Sequence, residues 1–468
     1  MPQISHIKYK DINEARRFDA DFFKPEYLLL REKIKNMKNE KLISFLLNDK
    51  VITWHTPSKQ NEKFYWWNIK FIKTDNLREN YINHNFNDYL SEQWNDELRA
   101  SELKKWDIIV TIIWASEKVV WRVSIVREED LPANINQNIG LIRVNQNKIN
   151  PDLLNIYLNC KYWRGYLHSL SRQTEQVNLN CREVENVLVP IFSQVIQQEI
   201  SKIVQTAYNK NQQSKQLYQE AEDLLLTELW LKNHTISHTL TFSTTKKAVD
   251  EAWRYDADYF QPKYDELIEK IENYKWGREQ LVNLTTYINN WNQPPYSESW
   301  NIKFFSQKWI KDKWIDYSFL ESTEEPMVES SFFDEEKNKP SLVSKWDILY
   351  YSVWANLWYC HTYLADEKIA VWSFINIIRT DTSKFDSVAM WVILNSMIWR
   401  MQADRDKSWV AQPYIYAKNL RKFKIPLINP QLQKEISDKI KESFKLRNES
   451  KELLEQAKKM VEDEIEKE

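Results

Sequence analysis

Two long stretches of this chain carry apolar residues at helical spacing within an otherwise polar background. Over 195–231 the stripe is Ile196, Ile200, Ile203, Ala207, Leu217, Ala221 and Leu224. Over 431–468 it is Leu432, Ile436, Ile440, Phe444, Leu453, Ala457 and Met460. Neither stretch contains proline, so each predicts one long helix with a narrow apolar stripe, which is buried most simply against the stripe of the other as a coiled coil. The alternative is two separate surface helices, each packed on its own domain. Upstream of each lie short β-rich runs, 107–113 and 347–353, whose length and flanking turns suit buried strands.

The same order of signals occurs twice. Arg17-Phe18-Asp19-Ala20-Asp21-Phe22-Phe23-Lys24-Pro25 returns as Arg254-Tyr255-Asp256-Ala257-Asp258-Tyr259-Phe260-Gln261-Pro262. Asp107-Ile108-Ile109 returns as Asp347-Ile348-Leu349, Val189-Pro190 as Ile425-Pro426, and Gln197-Gln198-Glu199-Ile200 as Gln433-Lys434-Glu435-Ile436. Because the order is kept, each half is one copy of a single unit. The expected fold is mixed α/β (α+β): two globular domains separated by two long helices in an antiparallel coiled coil, with a pseudo-twofold internal repeat. The expected division is 1–194, a first globular domain; 195–232, a central helix; 233–430, a second globular domain; and 431–468, a C-terminal helix. The polar segment 233–245 reads as the link into the second copy.

Composition changes the picture in one respect. The 468 residues include only 3 Gly but 22 Trp, where an average chain of this length would carry about 33 Gly. Many Trp stand where backbone chemistry favours glycine, as in Lys105-Trp106-Asp107 and Lys345-Trp346-Asp347, each just ahead of a strand-like run. The reading we favour is that these are glycine codons read as Trp under the wrong translation table, such as UGA in an organism that assigns it to glycine. The alternative is a Trp-rich protein with aromatic platforms; UGG codons at those positions would establish it.

The net charge of −2 argues against gripping nucleic acid by bulk charge, since phosphate neutralisation needs a local Lys/Arg surplus. Local basic loops, or charge borrowed from partners, would have to serve. No apolar run approaches the ~20 residues needed to span a bilayer, and the first ten residues lack a signal-peptide pattern, so the expected location is cytoplasmic, away from any membrane. Cys160, Cys181 and Cys360 have no ligand spacing and read as free thiols; the seven scattered His show no metal pattern.

Several local signatures resemble the specificity-subunit family of type I restriction-modification systems. Thr56-Pro57-Ser58, leading to Tyr65-Trp66-Trp67-Asn68-Ile69, resembles that family's Gly-x-Thr-Pro-Ser and Tyr-x-Gly-x-Ile segments with Trp at the glycine positions. Trp114-Ala115-Ser116 resembles its Gly-Ala-Ser turn, Asn136-Gln137-Asn138 to Arg143 its Asn-Gln segment, and Gln176-Val177-Asn178-Leu179-Asn180 the approach to its conserved helix. Trp54, Trp106, Trp114, Trp346, Trp354 and Trp358 fall where relatives would be expected to carry Gly. The second copy departs from the pattern, with Asn292-Gln293-Pro294-Pro295 in place of Thr-Pro-Ser.

The resemblance implies two target recognition domains that bind double-stranded DNA at a bipartite, asymmetric target. It implies partners too: two methylase subunits that modify adenine, and restriction/translocase subunits. S-adenosylmethionine, ATP and Mg would sit on those partners, with no cofactor, metal or catalytic residue in this chain. The DNA-contacting loops are expected around Thr56, Ser58, Lys59, Lys63, Lys70 and Lys73 in the first copy. In the second they are expected around Asn292, Gln293, Tyr296, Lys303 and Lys308, with Lys311 and Lys313 alongside. Such Lys, Ser, Asn and Gln side chains hold phosphates and read base edges, although a polar loop rim has the same composition.

Two other classes were weighed. A single-chain DNA methyltransferase or restriction enzyme would need a Gly-rich cofactor loop or a phosphate-binding loop, and neither spacing appears even with Trp turned back into Gly. Asn292-Gln293-Pro294-Pro295-Tyr296 is only an interrupted version of a methyltransferase motif. The acidic clusters Glu324-Glu325 and Asp334-Glu335-Glu336 suit solvated loops better than metal ligands. A coiled-coil adaptor that binds only protein is the third class.

Overall fold

The computed structural model describes residues 4–15, 18, 20–54, 65–114, 122–170, 177–235, 239–290, 302–306, 309–311, 314–315, 317–320, 326–352, 360–408 and 413–467. It is mixed helix and sheet, with two helices much longer than the rest, Gln194–Glu228 and Pro430–Glu466. The chain divides into two compact units. One comprises Met1–Asn211 with Asn448–Glu468, the other Gln212–Arg447, so each long helix contributes one half to each unit.

The long helices start and stop for identifiable reasons. Ser193 Oγ accepts the Ile196 N–H at 3.3 Å, and Asn429 Oδ1 accepts the Leu432 N–H at 2.9 Å ahead of Pro430, so both N-termini carry a side-chain cap. The first helix ends three residues earlier than the apolar spacing suggests. Leu231 N–H reaches back to Leu226 O at 2.7 Å and Trp230 N–H to Thr227 O at 3.1 Å, with Trp230 at φ 52°. That is the Schellman closure, whose left-handed residue is ordinarily glycine.

In the first unit, helix Pro25–Asn36 packs beside a two-stranded ribbon of Asn39–Lys41 with Leu188–Pro190, antiparallel. Strand Ile108–Thr111 lies between Val123–Ile125 and Ile139–Ile142, and all of its residues are buried. A second sheet places Tyr65–Ile72 between Tyr89–Leu90, antiparallel, and Ala133–Ile135, parallel. The core gathers Trp163, Tyr157 and Leu167 with Ile200 and Val204 of the first long helix and Ala457, Val461 and Ile465 of the second. The expected strand 107–113 is broken at Ile112, whose N–H bonds Asn138 O; Ile113–Trp114 then pairs with Val177–Asn178 instead.

The second unit repeats this scheme. Its ribbon is Arg278–Gln280 with Lys424–Pro426. Ile348–Tyr351 lies between Cys360–Thr362 and Ile375–Thr380, with Thr285–Asn290 added at the edge. Ile302–Phe305 lies between Met327–Val328, antiparallel, and Ala370–Val371, parallel. Its core joins Trp391 and Trp399 to Ala221 and Leu225 of the first long helix, Leu229 just past its end, and Ile436 and Ile440 of the second.

Within each unit the two helix halves run antiparallel and approach closely at small residues. In the first unit Ser450 Oγ donates to Ala207 O at 2.7 Å and Lys210 Nζ meets Glu449 at 2.6 Å. In the second, Ser443 Oγ donates to Ser214 O at 2.7 Å and Lys439 Nζ meets Glu220 at 2.7 Å. A serine that returns its hydroxyl to a carbonyl can be buried without leaving an unsatisfied group.

Two of the turns flagged by Trp-for-Gly composition have glycine geometry, whereas Trp54 and Trp114 do not have positive φ. Asp107 N–H closes on Lys104 O at 3.0 Å with Trp106 at φ 75°, and Asp347 N–H closes on Ser344 O at 3.0 Å with Trp346 at φ 73°. A positive φ at the third position of such a turn is the type II pattern, which favours Gly because a Cβ there costs about 1–2 kcal/mol. Trp230 and Trp253, at φ 52° and 53°, end helices in the same left-handed region. Trp354 and Trp358 lie outside the described residues.

Candidate nucleic-acid interface

Each candidate loop leads into the central strand of a three-stranded sheet. In the first copy, segment 55–64 precedes Tyr65–Ile72; in the second, 291–301 precedes Ile302–Phe305. These strands are themselves equivalent, since Asn68-Ile69-Lys70-Phe71 repeats as Asn301-Ile302-Lys303-Phe304. Lys70 pairs with Tyr89 on one side and Ala133 on the other; Lys303 pairs with Met327, and the next residue, Phe304, with Ala370. Phe71 and its counterpart Phe304 are buried, and so are the next residues, Ile72 and Phe305, which alternation places on the opposite face.

Thr56, Ser58, Lys59, Lys63, Asn292, Gln293, Tyr296, Lys308 and Lys313 lie outside the described residues, and of Lys311 only the strand backbone, Ile310–Lys311, is described. Lys70 Nζ donates to Glu129 O at 2.7 Å and Leu131 O at 2.9 Å, which ties the strand to the turn before Ala133–Ile135. Lys73 is ion-paired with Asp88 and lies over the Phe71 ring at 5.6 Å. Lys303 is half-buried in its strand. Lys70 and Lys73 therefore brace the scaffold, which a sequence cannot distinguish from a lysine that faces a phosphate.

Buried amides hold the first sheet rigid. Asn134 donates to Asn95 Oδ1 at 2.9 Å and accepts from Ser101 Oγ at 2.8 Å, and Asn95 in turn donates to Glu102 at 2.9 Å. A network in which each member is satisfied favours one geometry over its competitors.

The first unit also assembles a cationic cluster from residues distant in sequence: Arg78, Arg122 and Arg164, with Lys458 beyond. Arg164 and Lys458 both pair with Glu79. Burial alone would raise the Glu79 carboxyl, but Arg164 and Lys458 outweigh it and hold the group below its ordinary value. The Arg122 guanidinium is lowered too, by burial first and then by repulsion from Arg78 and Arg164. Lys458 also meets Glu455 at 2.9 Å, and two carboxylates among four cations still leave a local surplus suited to a phosphate oxygen in a chain whose total charge is near zero. Periodicity gave no signal for this cluster because its members lie on four different segments.

Among the described residues no group of three or more His, Cys, Asp or Glu is placed to hold a metal ion. All three cysteines are free thiols; Cys160 and Cys360 are buried and Cys181 half-buried. Desolvation pushes the Cys160 thiol up to about 12, the opposite of what a nucleophile needs. Among the described residues no helix is long and apolar enough to cross a membrane.

No protein-family model matches the chain. The specificity subunit of the type I restriction enzyme EcoBI of Escherichia coli is 27% identical over 140 residues, a match that covers 30% of this chain and 28% of that protein. A type I restriction-modification S subunit from M. genitalium aligns over 92% of this chain and 95% of its own, at 11% identity and a TM-score of 0.39. The HsdS subunit from Thermoanaerobacter tengcongensis aligns over 91% and 95%, at 13% identity and a TM-score of 0.29. The ordered, duplicated motifs and the matched 140-residue stretch agree: this chain resembles the specificity subunit of a type I restriction-modification system.

Proposed function

We propose that the chain is the sequence-reading specificity subunit of a type I restriction-modification complex. In this reading it recognises a bipartite, asymmetric target in double-stranded DNA, and partner subunits methylate adenine or cleave. Domains 1–194 and 233–430 are the two readers, and the helices of 195–232 and 431–468, paired as an antiparallel coiled coil, set the unread spacer. A helix of ~36 residues is roughly 54 Å long. S-adenosylmethionine, ATP and Mg belong to the partners, two methylase subunits and the restriction/translocase subunits.

The observation that carries this reading is the same scaffold preceded by different sequences. The strands beginning at Tyr65 and Ile302 occupy equivalent places in equivalent sheets, while Thr56-Pro57-Ser58-Lys59 and Asn292-Gln293-Pro294-Pro295 share no pattern. One architecture with two unlike reading edges is what two unlike half-sites require, because base contacts specify while scaffold and phosphate contacts only position. The Arg78, Arg122 and Arg164 cluster supplies phosphate contacts on the first reader.

Mapping methylated adenines in native DNA from the source cells tests the proposal. A split motif with a fixed gap, lost when this gene is disrupted, is the expected result. A motif that persists without the gene, or a contiguous one, would overturn it. Shortening the helices should change the gap and leave both half-sites intact.

A further inference from the structure

In the first half one buried arginine joins the reading sheet to the long helix. Lys70, on the strand that follows 55–64, donates to the carbonyls of Glu129 and Leu131 at 2.7 and 2.9 Å, so the turn Glu128–Asp130 is tied to that strand. Arg127 precedes the turn, and its N–H donates to Asp130 Oδ2 at 2.7 Å. Its side chain runs to the helices: Nη2 meets Asp152 Oδ1 at 2.7 Å, both residues are buried, and the guanidinium lies over the Tyr208 ring at 4.8 Å. Helix Gln194–Glu228 supplies three more side chains. Ser201 Oγ and Gln205 Nε2 donate to Asp152 Oδ2 at 3.2 and 2.7 Å, and the Tyr208 hydroxyl donates to Glu129 at 2.6 Å. Spacings of four and three residues put all three on one helix face. The Trp106 ring also lies against Arg127, at 4.7 Å; a glycine at 106 would remove none of these hydrogen bonds.

The second half has apolar residues where the pair stands. Trp106 N–H bonds Val126 O and Val126 N–H bonds Asp107 O, a scheme repeated by Trp346, Tyr363 and Asp347, so Leu364 takes the place of Arg127. Asn150 and Asp386 each cap a helix by accepting the N–H groups two and three residues on, so Val388 takes the place of Asp152. With Gln197 repeated at Gln433, the counterparts of Ser201, Gln205 and Tyr208 are Ser437, Lys441 and Phe444. Ser437 is buried and its hydroxyl has no hydrogen-bond partner. Among the described residues no hydrogen bond or ion pair joins 364–367 to helix Pro430–Glu466. The same fold is thus built once with the pair and once without it.

Stability does not account for the pair. Arg127 Nη1 is buried with no hydrogen-bond partner, and a buried ion pair that leaves a donor unsatisfied gains little over an apolar contact of similar size. A directional pair supplies one register instead, because sliding one element past the other would strand two charges. We propose that Arg127 is a positioning residue: through Asp152 it holds the first reader in one register on helix Gln194–Glu228, and so makes the complex reject targets whose gap differs from the native length. This rests on the reading given under Proposed function, in which that helix sets the gap.

The test replaces the pair by the residues of the second half, Arg127→Leu with Asp152→Val, in the full chain assembled with the methylase subunits of its own locus. Methylation rates are measured on duplexes that carry the mapped half-sites at the native gap and at gaps one base pair shorter or longer. The ratio of native-gap to altered-gap rates is expected to fall about tenfold, with half-site preference kept and the urea midpoint unchanged or raised. A ratio within about twofold of the unaltered one, or rates that drop equally on every gap, overturns the positioning role and leaves the wider function standing. Should the double variant fail to fold, Tyr208→Phe removes a single hydroxyl and matches Phe444; its ratio is expected to fall about threefold, and an unchanged ratio there overturns the role. An unaltered complex that methylates every gap alike overturns both the role and the reading on which it rests.

Discussion

Arg143 grips Asp107 through two parallel hydrogen bonds, Nε to Oδ1 at 2.8 Å and Nη2 to Oδ2 at 2.6 Å, and the second copy reproduces the pair as Arg379 on Asp347 at 2.8 and 2.6 Å. Each Asp also accepts a backbone N–H of its own turn, from Lys104 or Ser344. Both carboxylates are buried, so the guanidinium is what makes their burial tolerable. Replacing Arg143 or Arg379 by Met keeps the length of the side chain and removes the charge. Each change is expected to destabilise its own unit by about 3–5 kcal/mol, the usual consequence of stranding one member of a buried pair. Urea unfolding monitored by tryptophan fluorescence would measure it, and a loss under 1 kcal/mol would contradict the account.

Gln197 and Gln433 form a second duplicated device. Each amide oxygen accepts a backbone N–H, from Asn150 at 3.1 Å or Asp386 at 2.8 Å, while each amide nitrogen donates to a carbonyl five residues back, Phe192 or Ile428. The side chain thus fastens the start of a long helix to the start of a shorter one in the same unit. Gln→Ala at either position should cost about 1–3 kcal/mol, since two backbone groups lose their partner together. Thermal unfolding of the two single variants should show losses of similar size.

Acid sensitivity is expected from His361. Burial first, and then the charge of Arg447, lowers its imidazole from the ordinary 6.5 to about 3. The folded protein therefore keeps this ring neutral while the unfolded chain protonates it, so the unfolded state binds more protons between pH 6.5 and 3. Stability from this group is complete above 6.5 and is lost as pH falls through that window, at roughly 1.4 kcal/mol per pH unit. In His361→Gln the slope of stability against pH over that interval should flatten. An unchanged slope would assign the acid response elsewhere.

The left-handed tryptophans make a prediction that separates glycine from mere smallness. Trp253 is 87% exposed at φ 53°, so its ring contributes little packing and its Cβ supplies the strain. Trp253→Gly should raise stability by about 1 kcal/mol, whereas Trp253→Ala, which keeps a Cβ, should not. Peptide mass spectrometry of the protein from its source cells is expected to find Gly at Trp106 and Trp346. A mass corresponding to Trp at both would show that the strain is native.

Much of the scaffold was legible because it is written twice. The recurrence of Asp107 at Asp347 and of Gln197 at Gln433 located the turns and helix starts, and periodicity located both long helices to within a few residues. The end of the first helix was misplaced by three residues because Trp230 hides a glycine-type stop. The sharing of each helix between two units escaped because a stripe of Ile200, Ala221 and their neighbours looks the same whether it faces one core or two. The lysines show the limit at the candidate interface: Lys70 and Lys73 have the composition of a phosphate contact, yet carbonyls and Asp88 engage them. The arginine cluster, drawn from positions 78, 122 and 164, had no linear signature at all.

The division of the helices also sets a schedule. The first unit needs Ala457, Val461 and Ile465 in its core, and these are made only after the whole of the second unit, Gln212–Arg447. A ribosome adding ~5–20 residues per second needs roughly 12 to 49 seconds to pass from position 211 to position 457. During that interval the apolar stripe at Ile200 and Val204 waits without the helix that covers it. The half synthesised first is thus completed after the other, and chaperone occupancy during synthesis should persist on it until Asn448–Glu468 has been made.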